Sequence, residues 1–480
     1  MKKGKNLLTV IIALLLIHNL LNAQGKGAEN EVISTRHDSL VAMGNKFITM
    51  LNTDDVEEAE DLTKQLFVPE ALDGLAGQLR TEYGAIEKAS IRVMPDERSF
   101  HVVAWVSKLK AWRNFQLGLT DEAPYLGRRL AVVLAAPPVD LPEGTINNPE
   151  VIKALDAYID QLASEEGLTA SILINKGNTR VIERVVGFAN REKKRKNTID
   201  TPFNLASCGK LFTSVAILRL VEKGLISLDD PLIKFLPDYP DEEFARKVRV
   251  RHLLTHTSGL GDYWDDEYEK NWGEISALKD YLPFVTGKPL HHKKPGSRGI
   301  YSNSGFILLG LIIEAATGGD YFEHIKATIF DPLDMNGSGF FKKHQDDLFA
   351  VGYFDFAPGE GMRARGGLMG SAAGGAYATT ADMLKFRNAL VNHRLIGERM
   401  LKEATTKQIE LEGGGVEYGL GFVVNGLFKP GFGHGGQGPG SGVTFDIGAK
   451  NGYTVMIFAN SLNGAYSELL FTLTELCARK

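Results

Sequence analysis

Apolar residues repeat along this chain in two periods, and the places where the period changes divide it. Leu40, Met43, Phe47 and Leu51 recur at helical spacing, and Leu62 with Leu66 marks a second helix ahead of Pro69. After Tyr83 the period falls to two: Ile91 and Val93, then Phe100, Val102, Ala104 and Val106, then Phe115, Leu117 and Leu119, then Leu130, Val132 and Leu134. Helices followed by such a run predict a small α+β unit over 31–134, with one antiparallel sheet curled over the helices. Ala135-Ala136-Pro137-Pro138, with Pro142 and Pro149 close by, predicts a linker over 135–150.

A second region covers 151–480. Val151, Leu155, Tyr158 and Leu162 share one side of a helix, and 168–174 with 180–188 form a hairpin around Lys176-Gly177-Asn178. The basic run 191–196 reads as a solvated loop. Leu211, Val215 and Leu218 predict a buried helix, and 306–316 is apolar nearly all round, which predicts another. Residues 250–260 predict a helix ended by a polar turn that shapes a cleft wall. Residues 263–298, with Tyr263, Trp264, Tyr268 and Trp272 among acidic residues, predict a lid whose aromatics meet substrate. The Gly- and Ala-rich stretch 365–382 predicts a tight loop and then a helix capped by Thr379. Strands return over 418–424, 445–447 and 453–460, and a helix closes the chain over 466–477.

At 480 residues the chain exceeds one ordinary core, so two domains and a targeting segment are expected. Lys2, Lys3 and Lys5, the apolar stretch 7–17 and Leu21-Asn22-Ala23 predict a secretory signal over 1–23 and a periplasmic or secreted protein. That stretch is too short to span a bilayer, so no stable membrane span is expected after cleavage. A formal net charge of −5 without a basic stripe argues against a nucleic-acid partner. Cys208 and Cys477 are the only cysteines, and the first reads as a packed residue rather than a catalytic thiol.

The chemistry gathers in three short stretches. Ser207 and Lys210 lie three apart at the head of the buried helix and so share a face. A lysine desolvated there can stay neutral and take the serine proton, while the first amides of the helix face a developing oxyanion. Tyr301 and Asn303, two apart before the second buried helix, point the same way in an extended segment. The third stretch, Gly431-Phe432-Gly433-His434-Gly435-Gly436, has dinucleotide-loop spacing, but Gln437-Gly438-Pro439-Gly440 follows and no helix can begin there. It reads instead as an edge strand whose glycines let substrate come close. No Gly-x-Ser-x-Gly occurs, which counts against an alpha/beta-hydrolase elbow. His252 and His256 are four apart without the intervening Glu of a zinc protease, so no metal is expected; His37, Asp38 and His101 read as structural or solvated.

Ser-x-x-Lys, Tyr-x-Asn and His-Gly-Gly together resemble the serine beta-lactamase and penicillin-binding-protein superfamily, and within it the class C-like esterases, D-aminopeptidases and D,D-peptidases. The resemblance covers 151–480 and implies an α/β, beta-lactamase/transpeptidase-like fold: an antiparallel sheet flanked by helices beside an all-helical subdomain. The unit ahead of it is similar in layout to NTF2-like (cystatin-related) modules. Carried over, Ser207 attacks a carbonyl, Lys210 with Tyr301 moves the proton, Asn303, His434 and Gly436 bind substrate, and the amides of Ser207 and Gln437 hold the oxyanion. No cofactor is implied. The implied partner is a small-molecule ester, amide or peptide, cell-wall peptides among them. His434 stands where beta-lactamases carry the lysine of Lys-Thr-Gly, which favours a carboxylesterase or peptidase-like activity over a beta-lactamase or D,D-carboxypeptidase. A catalytically silent peptidoglycan- or peptide-binding protein is the reading from another class.

Overall fold

The computed structural model describes residues 30–69, 75–94, 98–120, 124–341, 348–357, 360–364, 370–412 and 415–479. The expected leader over 1–23 and the pair Gly366-Gly367 lie outside them. Three helices open the described chain: α1 (Asn30–Asn52), α2 (Val56–Leu66) and α3 (Leu75–Tyr83). A four-stranded antiparallel meander follows, β1 (Ile86–Val93), β2 (Ser99–Val106), β3 (Ala111–Leu119) and β4 (Gly127–Leu134). The alternation puts Phe100 opposite Leu117 and Val102 opposite Phe115, and these four bury against Phe47, Met50 and Leu51 of α1. Helix α3 escaped the periodicity because it is short and buries only Ala76 and Leu79.

Residues 135–148 form no helix or strand, yet they are packed rather than free. Ala136 and Ile146 are buried with Val151 and Leu155 of α4 (Pro149–Glu165), and the Tyr158 hydroxyl donates to Pro137 O at 2.7 Å.

From there the chain builds strands β5 (Ala170–Lys176) and β6 (Thr179–Val186), then helices α5 (Lys210–Glu222), α6 (Val250–Leu254), α7 (Asn303–Thr317) and α8 (Thr380–Val391). It returns through β7 (Ile409–Leu411), β8 (Val416–Tyr418), β9 (Val423–Val424), β10 (Gly431–Gly438), β11 (Ser441–Gly448) and β12 (Tyr453–Ala459) to α9 (Gly464–Ala478). The eight strands run in the order β7-β8-β9-β10-β11-β12-β5-β6, so both ends of the region meet where Val455 pairs with Ile174. Helices α4 and α9 cover one face. Through Leu173, Phe445, Met456 and Phe458 the other face shares a core with α5, α6 and α7.

The glycines of β10 predict an edge strand, but β10 is not the edge of this sheet, because β9, β8 and β7 lie beyond it. The β9 pairing reaches only Phe432 and Gly433. Residues 435–438 therefore have no strand on that side among the described residues. The face of β1–β4 turned away from α1 meets α9: Arg92 pairs both guanidinium nitrogens with Glu468, one at 3.0 Å, and stacks 4.3 Å over the Phe471 ring. Among the described residues no single helix is long and apolar enough to cross a membrane.

Candidate active site

Ser207 sits in a 3-10 turn, Ala206–Gly209, rather than in the first turn of an α-helix; α5 starts at Lys210. Ala206 has a positive φ of 45°, unusual for a residue with a side chain, and its N–H donates to Asn204 Oδ1 at 2.9 Å. The turn leaves Ser207 partly exposed and sends the Lys210 side chain inward, where it is wholly buried. Lys210 Nζ lies 3.2 Å from Ser207 Oγ, 2.6 Å from Asn303 Oδ1 and 2.5 Å from Ala373 O, with the rings of Tyr301 and Phe306 5.0 and 5.3 Å away. Burial pulls its pKa down to about 7, and the Asp262 carboxylate works in the opposite direction. A neutral amine has two N–H groups and one lone pair. Asn303 Oδ1 and Ala373 O accept the two hydrogens, which leaves the lone pair for the serine hydroxyl.

The segment ahead of α7 is gripped by the turn after α6. Ser302 N donates to His256 Nδ1 at 3.1 Å, Ile300 N donates to His256 O at 2.9 Å, and Ser302 Oγ donates to Gly261 O at 2.9 Å. The His256 ring lies 4.2 Å from the Tyr301 ring, so this residue has one nitrogen and one face committed to the 300–303 segment. The Tyr301 hydroxyl is shielded from solvent and has no partner in hydrogen-bonding geometry among the described residues. Burial raises its pKa, and the neighbouring Ser207 hydroxyl opposes the rise. Asn303 is the first residue of α7. Its Oδ1 holds Lys210 and its Nδ2 donates one hydrogen to Asp262 Oδ2 at 2.8 Å, so the substrate contact expected of this amide falls to its second N–H.

Strand β10 runs against the serine turn. A Cβ added at Gly436 would fall 2.4 Å from Leu205 O, 2.9 Å from Ser207 N and 3.0 Å from Cys208 N, an approach open only to glycine. Gly436 thus acts through the side chain it lacks, and Gln437 is next along the strand. His434 is buried; Nε2 lies 2.8 Å from the Tyr418 hydroxyl and Nδ1 meets the carbonyl of Gly435.

The Beta-lactamase family model matches residues 155–475, two-thirds of the chain. The chain belongs to the beta-lactamase family. Penicillin-binding protein 4* of Bacillus subtilis is 30% identical across 57% of this chain and 63% of its own length. Esterase EstB of Burkholderia gladioli is 34% identical across 45% and 57%. The chain thus spans about three-fifths of the length of these two relatives. The crystal structure of a penicillin-binding protein from Bacillus halodurans aligns with a TM-score of 0.59 at 32% identity, over 67% of this chain and 98% of that one. The fold is beta-lactamase/transpeptidase-like, and the superfamily is one of serine hydrolases. The family match starts at 155, beyond the α+β unit.

Within this beta-lactamase-family site the lid differs from expectation. Tyr263 and Tyr268 are buried, and with Tyr281 and Phe284 they form an aromatic cluster with ring centroids 4.9–6.0 Å apart. Their acidic surroundings in sequence concealed that they pack on one another. Trp264 is the lid aromatic left open, at 41% exposed. Of the Gly- and Ala-rich stretch, the described part from Gly370 packs over Lys210, with Ala373 O on the lysine and Ala372 O accepting from Thr213 Oγ1 at 2.7 Å. Sequence reasoning passed over Asp262 and Tyr418. Asp262 closes the run His256-Thr257-Ser258-Gly259-Leu260-Gly261, where a carboxylate after two glycines was its one signal. Tyr418 had none beyond its place in a strand.

Proposed function

We propose that the protein is an exported serine hydrolase that works through an acyl-enzyme on Ser207, with a small-molecule ester or amide as substrate and cell-wall peptides as one source of it. The observation that carries this reading is a wholly buried lysine, its pKa drawn to about 7, with Nζ 3.2 Å from the hydroxyl of a partly exposed serine. Neutral Lys210 takes the hydroxyl proton as Oγ bonds to the substrate carbonyl carbon. The electron pair displaced onto the carbonyl oxygen is held by the amides of Ser207 and Gln437. Collapse expels the alcohol or amine, which receives the proton from Lys210 by way of Tyr301. Water then adds to the ester, giving its proton to the same groups, and frees the acid and the serine.

Hydrolysis of a nitrophenyl ester by the wild type, by Ser207→Ala and by Lys210→Met tests this reading. Loss in both variants supports it, and retention by Ser207→Ala refutes it. A screen of acyl esters, D-amino-acid amides and muropeptides then ranks substrates. Export rests on the basic, apolar and small-residue succession over 1–23. Its test is the N-terminus of the mature protein recovered from the periplasm or medium, expected at about Gln24.

A further inference from the structure

The wall of the cleft opposite Tyr301 is built from side chains that already occupy one another. His434 projects from β10 with 5% of its surface exposed, and its two ring nitrogens meet two different groups. On the Nδ1 side stands the carbonyl oxygen of Gly435, which can only accept, so Nδ1 carries a hydrogen. On the Nε2 side stands the Tyr418 hydroxyl at 2.8 Å, with the two rings nearly perpendicular at 87°. Tyr418 is fully buried on β8, where burial keeps its phenol protonated; toward a neutral Nδ1–H imidazole, whose Nε2 has only a lone pair, the hydroxyl donates and Nε2 accepts. Tyr418 is itself backed by the His256 ring at 4.7 Å and packs with Tyr301. An aromatic row, Tyr301, His256, Tyr418 and His434, therefore runs from the serine to β10. Lys210 stands beside Tyr301 in this row, so a second positive charge on His434 would add to a region that already destabilises one.

We propose that Tyr418 is a specificity-determining residue: its hydroxyl holds His434 as the neutral Nδ1–H imidazole, so the β10 wall offers neither a cation nor a free N–H to a substrate carboxylate, and the site selects uncharged esters and amides. This rests on the serine-hydrolase reading above and names the substrate class it takes. Tyr418 acts through His434 and is a positioning residue.

The test compares acylation of Ser207 by a penicillin and by its methyl ester, which differ in the carboxylate alone. The ratio of the two rate constants cancels any general loss of activity. The wild type favours the methyl ester. Tyr418→Phe removes the donor that occupies the Nε2 lone pair, so that Nε2 takes up a proton opposite a carboxylate and then donates to it, which raises the penicillin-to-ester ratio about tenfold or more, the size of one hydrogen bond to a charged group. His434→Lys raises it further. A ratio within twofold of wild type in both variants, with Ser207 still acylated, overturns the inference and leaves the serine-hydrolase reading standing; no Ser207 acylation by either compound or by a nitrophenyl ester counts against that reading itself. A second measurement does not depend on turnover. Ring 15N spectra of the wild type, with His434 assigned by difference from His434→Gln, should show a protonated Nδ1 and an accepting Nε2 at pH 7.5. An imidazolium or an Nε2–H tautomer overturns the inference.

Discussion

Replacing Lys210 with Met should remove a strong pH dependence from the stability of the second region. The lysine pKa falls from 10.5 to about 7 on folding, because burial penalises the ammonium more than Asp262 favours it. The unfolded chain therefore binds more protons than the folded one between pH 7 and 10.5, and stability rises with pH across that window. At about 1.4 kcal/mol for each pH unit, the full excursion is roughly 5 kcal/mol, present as a penalty at pH 7 and relieved by pH 10.5. Below pH 7 both states are protonated and the penalty is constant. Lys210→Met carries no such term. Its stability at any single pH also reflects the unpaired Asn303 and Ala373 oxygens, so the slope is the decisive quantity. Urea unfolding of both proteins at intervals from pH 6 to 10 measures it, with wild type gaining several kcal/mol relative to the variant as pH rises. Parallel curves would refute the idea that Lys210 is neutralised by burial and, with it, the reason for calling it the base.

The same lysine sets the acid limb of kcat/KM for an ester, which should rise through about pH 7 as Lys210 loses its proton. Asp262→Asn removes a charge that favours the ammonium while keeping an oxygen that accepts from Asn303, so that limb should move to lower pH; a limb that stays in place contradicts this. Gly436→Ala places a Cβ 2.4 Å from one backbone atom of the serine turn and 2.9 Å from another, neither the end of a flexible side chain. Relief by about 1 Å of movement should lower kcat/KM roughly 100-fold with the fold intact by circular dichroism. Arg92→Ala leaves Glu468 buried without its partner and should destabilise the protein by about 3–5 kcal/mol in urea unfolding, whereas Lys64→Ala, which breaks the exposed pair with Asp61 on α2, should cost far less.

The elements were legible where periodicity was long. Helix α7 announced itself through Phe306 to Ile313, and the β2 and β3 alternation placed Phe100 and Phe115 on the buried face. The three chemical stretches were legible because each holds a reactive residue next to a strong local signal: an apolar helix after Lys210, another after Asn303, a glycine run around His434. What sequence could not supply was direction. Asn303 points one end of its amide to Lys210 and the other to Asp262, a choice made by the packing of 256–262 on 300–303, which are some forty residues apart. Likewise the glycines of β10 suggested an edge, and the short reach of β9 is a matter of strand pairing that no single-strand pattern encodes. The lid aromatics were misread for a related reason, since acidic neighbours in sequence say little about whether Tyr263 and Tyr268 turn toward each other.

The most direct measurement is the mass of the protein after a brief exposure to a fluorophosphonate or an activated ester, followed by mapping of the adduct to a peptide. One adduct per chain on the peptide containing Ser207, absent in Ser207→Ala and much slowed in Lys210→Met, is the predicted result. An adduct on any other residue, or the same rate of labelling without Lys210, would contradict an activated hydroxyl at this position.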